Sequence, residues 1–408
     1  MKSNIWNGKW KICMAVLAIA LAILMPVTSV KAATVATPSG LSQTAATATA
    51  VQYSWKPVTG ATQYGCSYSV DGSTWSNEVV ETSTMHVFNG LTAGKTYYVK
   101  VRAFGAGAWG AYSASYAVST SPKVVTTVSQ TEVSTSSVTV TWSAVEGVSG
   151  YNVWIGKAGK QTKLVKATAG TTTSLTINGL TPDTKYTVEV VPFIKSQNGF
   201  LACGEVASNK KVVTLGGAVK KFKLKKWNPV TGEFTFSWKN SAKYESGYQV
   251  ELISAKGKSL KAFDVNGNVK EMSFTSRKLM NKAGKARVRT YKVLGDKKFY
   301  GDWSKEIVIV PQAAAVATKT APNTVTLNWK KVSGASSYAI YYSTNPNGGY
   351  SKLADVGGAT SYSFANLDAS TTYYAFVVAN NVKVGKKNYK SNAVSVKTPA
   401  VVSIAPQQ

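Results

Sequence analysis

Four times along the chain an alternating apolar and polar run ends in tryptophan: YSW at 53–55, VTW at 140–142, FSW at 236–238 and LNW at 327–329. A period of two is that of a half-buried strand. The tryptophans stand 87, 96 and 91 residues apart, and about 100 residues is the length of one β-sandwich. A second feature keeps step with the first. Nine residues after the tryptophan come Tyr64, Tyr151 and Tyr338, and in the third copy Tyr248 follows at ten. Turn-forming stretches rich in Gly, Ser and Thr lie between, and another alternating strand starts at each tyrosine. Self-similarity at a fixed period constrains a chain to an array of like units.

The third feature is a corner. NGLTAGKTY at 89–97, NGLTPDTKY at 178–186 and ANLDASTTY at 365–373 each place a leucine six residues before a tyrosine. A leucine there plugs the bottom of a sandwich, and the tyrosine turns its ring inward and spends its hydroxyl on nearby backbone. The expected core is therefore Trp55, Tyr64, Leu91 and Tyr97; Trp142, Tyr151, Leu180 and Tyr186; Trp238 and Tyr248; and Trp329, Tyr338, Leu367 and Tyr373. Taken together, these residues resemble the fibronectin type III domain over roughly residues 33 to 400. The resemblance implies an all-β protein, a tandem array of four fibronectin type III-like, immunoglobulin-like β-sandwiches. The third copy departs from it, because aligning RVRTY at 287–291 on KVRAF at 100–104 puts Gly284 where the corner tyrosine belongs. A loosened lower corner is expected there.

The expected boundaries are 1–32 for a signal peptide, 33–122, 123–216, 217–313 and 314–400 for the four repeats, and 401–408 for a tail. Lys2, Lys9 and Lys11 precede an apolar run from 12 to 25, and Val30-Lys31-Ala32 offers small residues to a signal peptidase. The run is short of the 20 or so residues a membrane span needs, so the chain is expected to be secreted, extracellular or cell-surface associated, with no transmembrane span after cleavage. Cys66 and Cys203 fall in different repeats and are expected to be separate thiols. Short connections between repeats predict limited freedom.

No catalytic constellation emerges. His86 is the one histidine, and the chain holds no HExxH, CxxC or GxSxG. The DVNGN run at 264–268 lacks the later bidentate acid of a calcium loop and reads as a hairpin turn. The expectation is a non-catalytic protein without cofactor or metal.

Charge is the remaining signal. The whole chain carries +29 and residues 217–313 alone carry +13. VKKFKLKKW at 219–227 would turn Phe222 and Leu224 inward and Lys221, Lys223 and Lys225 outward. Lys278, Lys282, Lys285, Arg287 and Arg289 add a second cluster. These eight residues are the candidate anion-binding set. Their expected partners are anionic cell-wall or matrix polymers, or another surface protein, reached through salt-sensitive attraction. Basic clusters without interleaved exposed aromatics argue against a dedicated nucleic-acid site. The leading reading is a structural or adhesive protein. The alternative is a carbohydrate-binding accessory protein that stacks sugars on exposed Trp154 and Trp227, with Trp75 and Trp109 expected to pack.

Overall fold

A computed structural model describes residues 35–228, 231–239, 242–368, 371–391 and 400–403; for 400–403 only the backbone is described. The expected signal peptide, residues 404–408 of the tail and the segment 392–399 lie outside these. The fold class is all-β: every regular element among the described residues is a strand. None of the described segments is a helix long and apolar enough to cross a membrane.

Each repeat tryptophan stands within one residue of the end of a strand in a three-stranded sheet, and each of the four such sheets is followed by a four- or five-stranded one. In the first stretch, Ser42–Ala46, Val51–Ser54 and Met85–Phe88 form the smaller sheet. Val79–Glu81, Gln63–Ser69, Thr96–Gly105, Ala108–Trp109 and Tyr116–Ser119 form the larger. The strands inside both pair antiparallel. By internal contacts the chain divides into two compact units. One comprises 1–131, 138–177 and 185–212; the other comprises 132–137, 178–184 and 213–408.

The alternation read from sequence is what fills the cores. Along Thr96–Gly105 every second residue is buried, with Val99, Val101 and Ala103 fully so. At roughly 1.5–3 kcal/mol for each large apolar side chain removed from water, these faces are the main stabilising term. The tryptophan and tyrosine of each copy meet ring against ring. Trp55–Tyr64, Trp142–Tyr151 and Trp329–Tyr338 have centroids 5.3, 5.5 and 5.6 Å apart and planes 62–63° apart. This edge-to-face geometry puts a positive ring edge on a negative face. In the same three copies the tyrosine hydroxyl accepts the backbone N–H six residues upstream: Val58, Val145 and Val332, at 2.8–3.0 Å.

At the corners Tyr97 and Tyr373 accept the amides of Thr92 and Asp368 at 2.8 and 3.1 Å. Leu91 and Leu367 are buried, whereas Leu180 is only half-buried. The third copy solves both problems differently. The extra residue before Tyr248 moves its hydroxyl to the Glu245 carboxylate, to which it donates at 3.1 Å. The expected loose corner does not occur. A Cβ on Gly284 would sit 2.6 Å from Leu279 Cδ2 and 2.5 Å from the carbonyl oxygen of Ile253, and Leu279 is 1% exposed. A leucine from the preceding segment thus fills the volume that a tyrosine ring occupies elsewhere.

The fourth stretch ends in Ala400–Ser403, paired with the strand Thr372–Asn380, so its sheet runs three residues beyond the expected boundary at 400. Asp264 to Asn268 is a turn, with Gly267 at φ 81°, but not the expected hairpin: Ser259–Asn266 pairs with Gly247–Ser254 in the larger sheet and Glu271–Thr275 with Glu233–Lys239 in the smaller, so the turn carries the chain from one sheet to the other. The two cysteines among the described residues are thiols: Cys66 is buried and Cys203 half-buried.

Candidate functional site

The first strand of the third stretch, Lys220–Trp227, carries five lysines. Phe222 and Leu224 face inward, 8% and 6% exposed, and Lys221, Lys223 and Lys225 are exposed, in the order the sequence leads one to expect. The alternation then breaks. Leu224 pairs with Phe236, Lys226 with Thr235 and Trp227 with Phe234, so Lys225 is an extra residue bulged out of the ladder. Each bulged residue shifts the inward–outward phase by one. Trp227 therefore turns into the core, 2% exposed and 5.9 Å from the Phe234 ring. The expectation of Trp227 as an exposed glycan-stacking ring is corrected on that ground.

A second irregularity in the same strand, between Lys220 and Lys223, accompanies a left-handed backbone at Lys221 (φ 55°). That conformation costs a non-glycine residue roughly 1 kcal/mol or more. It sets Lys221 beside Lys223 and Lys239 around one shallow recess of about 380 Å³, whose floor includes Phe222, Ser237 and Trp238. Lys239 was absent from the sequence-derived set. It ends the adjacent strand Glu233–Lys239 and pairs with Lys220, so strand pairing is the signal that would have found it. Lys221, Lys223 and Lys239 make no ion pair among the described residues.

The remaining candidates are placed otherwise. Lys225 pairs with Glu271, and Lys285 with Glu306 at 2.7 Å. Arg287 is held to Glu251 at 2.7 Å and lies 4.2 Å over the Trp303 ring. Arg289 donates to the Gln249 side-chain oxygen at 2.7 Å and lies between the rings of Tyr300 and Trp303, at 3.7 and 4.1 Å. Burial pulls its guanidinium down from the ordinary arginine value, without discharging it. The two arginines do share a face, as the spacing requires, but that face is a stack of cations and rings. Neither arginine lines the recess formed by Lys221, Lys223 and Lys239. Lys278 and Lys282 are exposed on the segment leading to Gly284–Leu294 and do not line the recess.

The first stretch builds the same stack from the homologous positions. Lys100 lies over Trp75 and Tyr112 at 4.0 and 4.2 Å, and Arg102 over Trp109 and Tyr112 at 4.6 and 4.9 Å. Glu78 clamps Arg102 with two hydrogen bonds and accepts the Tyr112 hydroxyl. Its burial opposes ionisation, but the hydrogen bonds from Arg102 and Tyr112 outweigh that and hold the carboxyl below its usual range. Trp75 and Trp109 thus pack, against cations.

The Nδ1 of His86 is 2.7 Å from the Glu81 carboxylate. The imidazole is 8% exposed and packs on Phe88, 4.3 Å between centroids. The nearby Cys66 thiol is pushed up to about 12 by burial, far from the thiolate a nucleophile requires. Among the described residues no cluster of three His, Cys, Asp or Glu side chains is placed to hold a metal.

A pair of sheets packed face to face in this order defines a class first, the immunoglobulin-like β-sandwiches. Within it, the family model of the fibronectin type III domain matches two consecutive segments of this chain, residues 36–119 and 122–204. Chitinase A1 of Niallia circulans is 30% identical over 240 residues, covering 55% of this chain and 30% of the chitinase. This chain therefore spans under a third of that relative's length. Among solved structures, the FN1-FN3 domains of chicken CNTN1 are 18% identical at a TM-score of 0.31, covering 67% of this chain and 98% of that one. A two-domain fibronectin type III segment of chicken tenascin is 22% identical at a TM-score of 0.25, covering 42% and 97%. Domains of this family are typically non-catalytic and serve structural or binding roles.

Proposed function

We propose that this is a secreted or cell-surface, non-catalytic protein that binds anionic envelope or matrix polymers through the basic recess of its third repeat. One observation carries the reading: Lys221, Lys223 and Lys239 converge on a single recess with no acid among its lining residues. The strained backbone at Lys221 supports it, since such strain collects where a side chain must be aimed. The +13 on residues 217–313 adds long-range attraction for a polyanion. Fibronectin type III domains on either side would space the recess from whatever carries the chain.

Co-sedimentation with bacterial cell walls, with and without their teichoic acid, tests this. Binding that needs the polyanion and weakens with a log–log salt slope of about 2 is expected, the value for roughly three charges neutralised on a flexible chain. The Lys221→Ala/Lys223→Ala/Lys239→Ala triple variant should lose most of the binding, and Arg287→Lys should lose little. Equal binding to stripped and intact walls, or an unaffected triple variant, overturns the proposal.

A further inference from the structure

Trp154 is the exception among the extra tryptophans. It stands on the strand Gly150–Lys157, opposite Glu189 of Lys185–Lys195, and is half-buried. In the first repeat the position of Glu189 is held by Lys100, which covers the rings of Trp75 and Tyr112. A carboxylate cannot do that, because an anion is repelled by the negative face of an aromatic ring. Trp154 instead borders a cleft of about 900 Å³, a volume in the range of about 300–1,000 Å³ typical of small-molecule sites.

The chemistry of the walls narrows the occupant. Asn152, Gln161 and Thr187 each bring a donor and an acceptor, and Glu189 is steadied by Thr162, whose hydroxyl donates to Oε2 at 2.8 Å. Lys160 and Lys210 are balanced by Glu189 and Glu205, so the cleft has no net charge to attract a polyanion. A flat indole, a ring of groups that both donate and accept, and balanced charge together match a sugar: a pyranose offers an apolar C–H face to the indole and hydroxyls to everything else. We propose that this cleft binds a neutral saccharide chain, with Trp154 as the stacking platform and Asn152 and Glu189 as hydroxyl partners. The site is separate from the lysine recess, and neither proposal depends on the other.

Cys203 lines the same cleft and gives a reporter. Cys66 is buried with its thiol pushed up to about 12, so in the folded protein carrying Cys13→Ser, iodoacetamide at mildly alkaline pH reports on Cys203. The full chain would be titrated with neutral hexasaccharides of glucose, mannose, xylose and N-acetylglucosamine, following Cys203 alkylation and tryptophan fluorescence. At least one sugar is expected to slow alkylation several-fold, equally at low and high salt. Trp154→Ala and the near-isosteric Glu189→Gln, each checked for an unchanged melting profile, should weaken that sugar by about tenfold or more, the loss of roughly 1.4 kcal/mol. The Lys221→Ala/Lys223→Ala/Lys239→Ala variant should bind it unchanged. No protection by any of the four sugars, or wild-type binding by a folded Glu189→Gln, overturns the assignment.

Discussion

The second and third repeats place different residues on the same two positions of the same sheet. In the second, Trp154 faces Glu189; in the third, Glu251 faces Arg287. The arginine is drawn down onto Trp303 and locked by its acid, and Arg289 follows it between Tyr300 and Trp303. In the second repeat the strand that follows the corner offers no cation there, so the ring on its neighbour borders an open cleft. What the difference teaches is that an aromatic side chain on an outer sheet face is packing or platform according to the charge of its cross-strand neighbour. Hydrophobicity alone does not distinguish the two fates.

The comparison breaks most easily at its tryptophans. Trp227→Ala, which empties a core site, should cost about 3–5 kcal/mol in urea unfolding, whereas Trp154→Ala should cost about 1–2 kcal/mol because the ring is only half-buried and borders a cleft. Equal losses would mean that Trp154 is also core and that the contrast is false. Next in size is Arg287→Ala. It leaves Glu251, 8% exposed, without its partner. Removing one member of a buried pair costs about 3–5 kcal/mol, and partial exposure of the arginine lowers the expectation to about 2 kcal/mol. A loss too small to measure would show that the stack of cations and rings is ornamental to stability.

A smaller effect separates the two tyrosines. Tyr151→Phe abandons the amide of Val145 and should cost about 1 kcal/mol. Tyr248→Phe takes a donor from a half-buried carboxylate whose other oxygen has no hydrogen-bond partner among the described residues, and should cost at least as much, about 1.5 kcal/mol or more. The smallest effect is a pH dependence special to the third repeat. Burial raises the Glu245 carboxyl above its ordinary value. A raised folded-state value favours folding below the unfolded-state pKa of about 4.3, and that contribution is lost as pH rises through the folded-state value. Glu245→Gln should therefore gain stability over wild type at neutral pH and lose that advantage in acid, read as the difference in urea midpoint at the two pH values. A constant difference across pH would place Glu245 in solvent.

Much of the fold was legible because its signals are periodic and local. The Trp-to-Tyr spacing names the ring pairs, and the Leu-x5-Tyr corner names Tyr97 and Tyr373 together with the backbone they bond. The site was legible only in part. Lys221 and Lys223 were found because alternation from Phe222 reaches them. Trp227 was misplaced because the same alternation, carried past Lys225, takes no account of a bulge. Lys239 and Glu189 were missed because each gains its meaning from a strand that lies across from it, not from its neighbours in sequence. Leu279 replaces a corner tyrosine from a position no motif would search.

By itself the sequence determined the all-β class, the inward faces of the strands and the concentration of charge near the third tryptophan. Those follow from periodicity and composition, which act residue by residue. Only the tertiary structure decided which lysines share a recess, which arginines are spent on rings, and which tryptophan borders a cleft. Those outcomes depend on register, and a single bulged residue or a single change of sign on a facing strand reverses them.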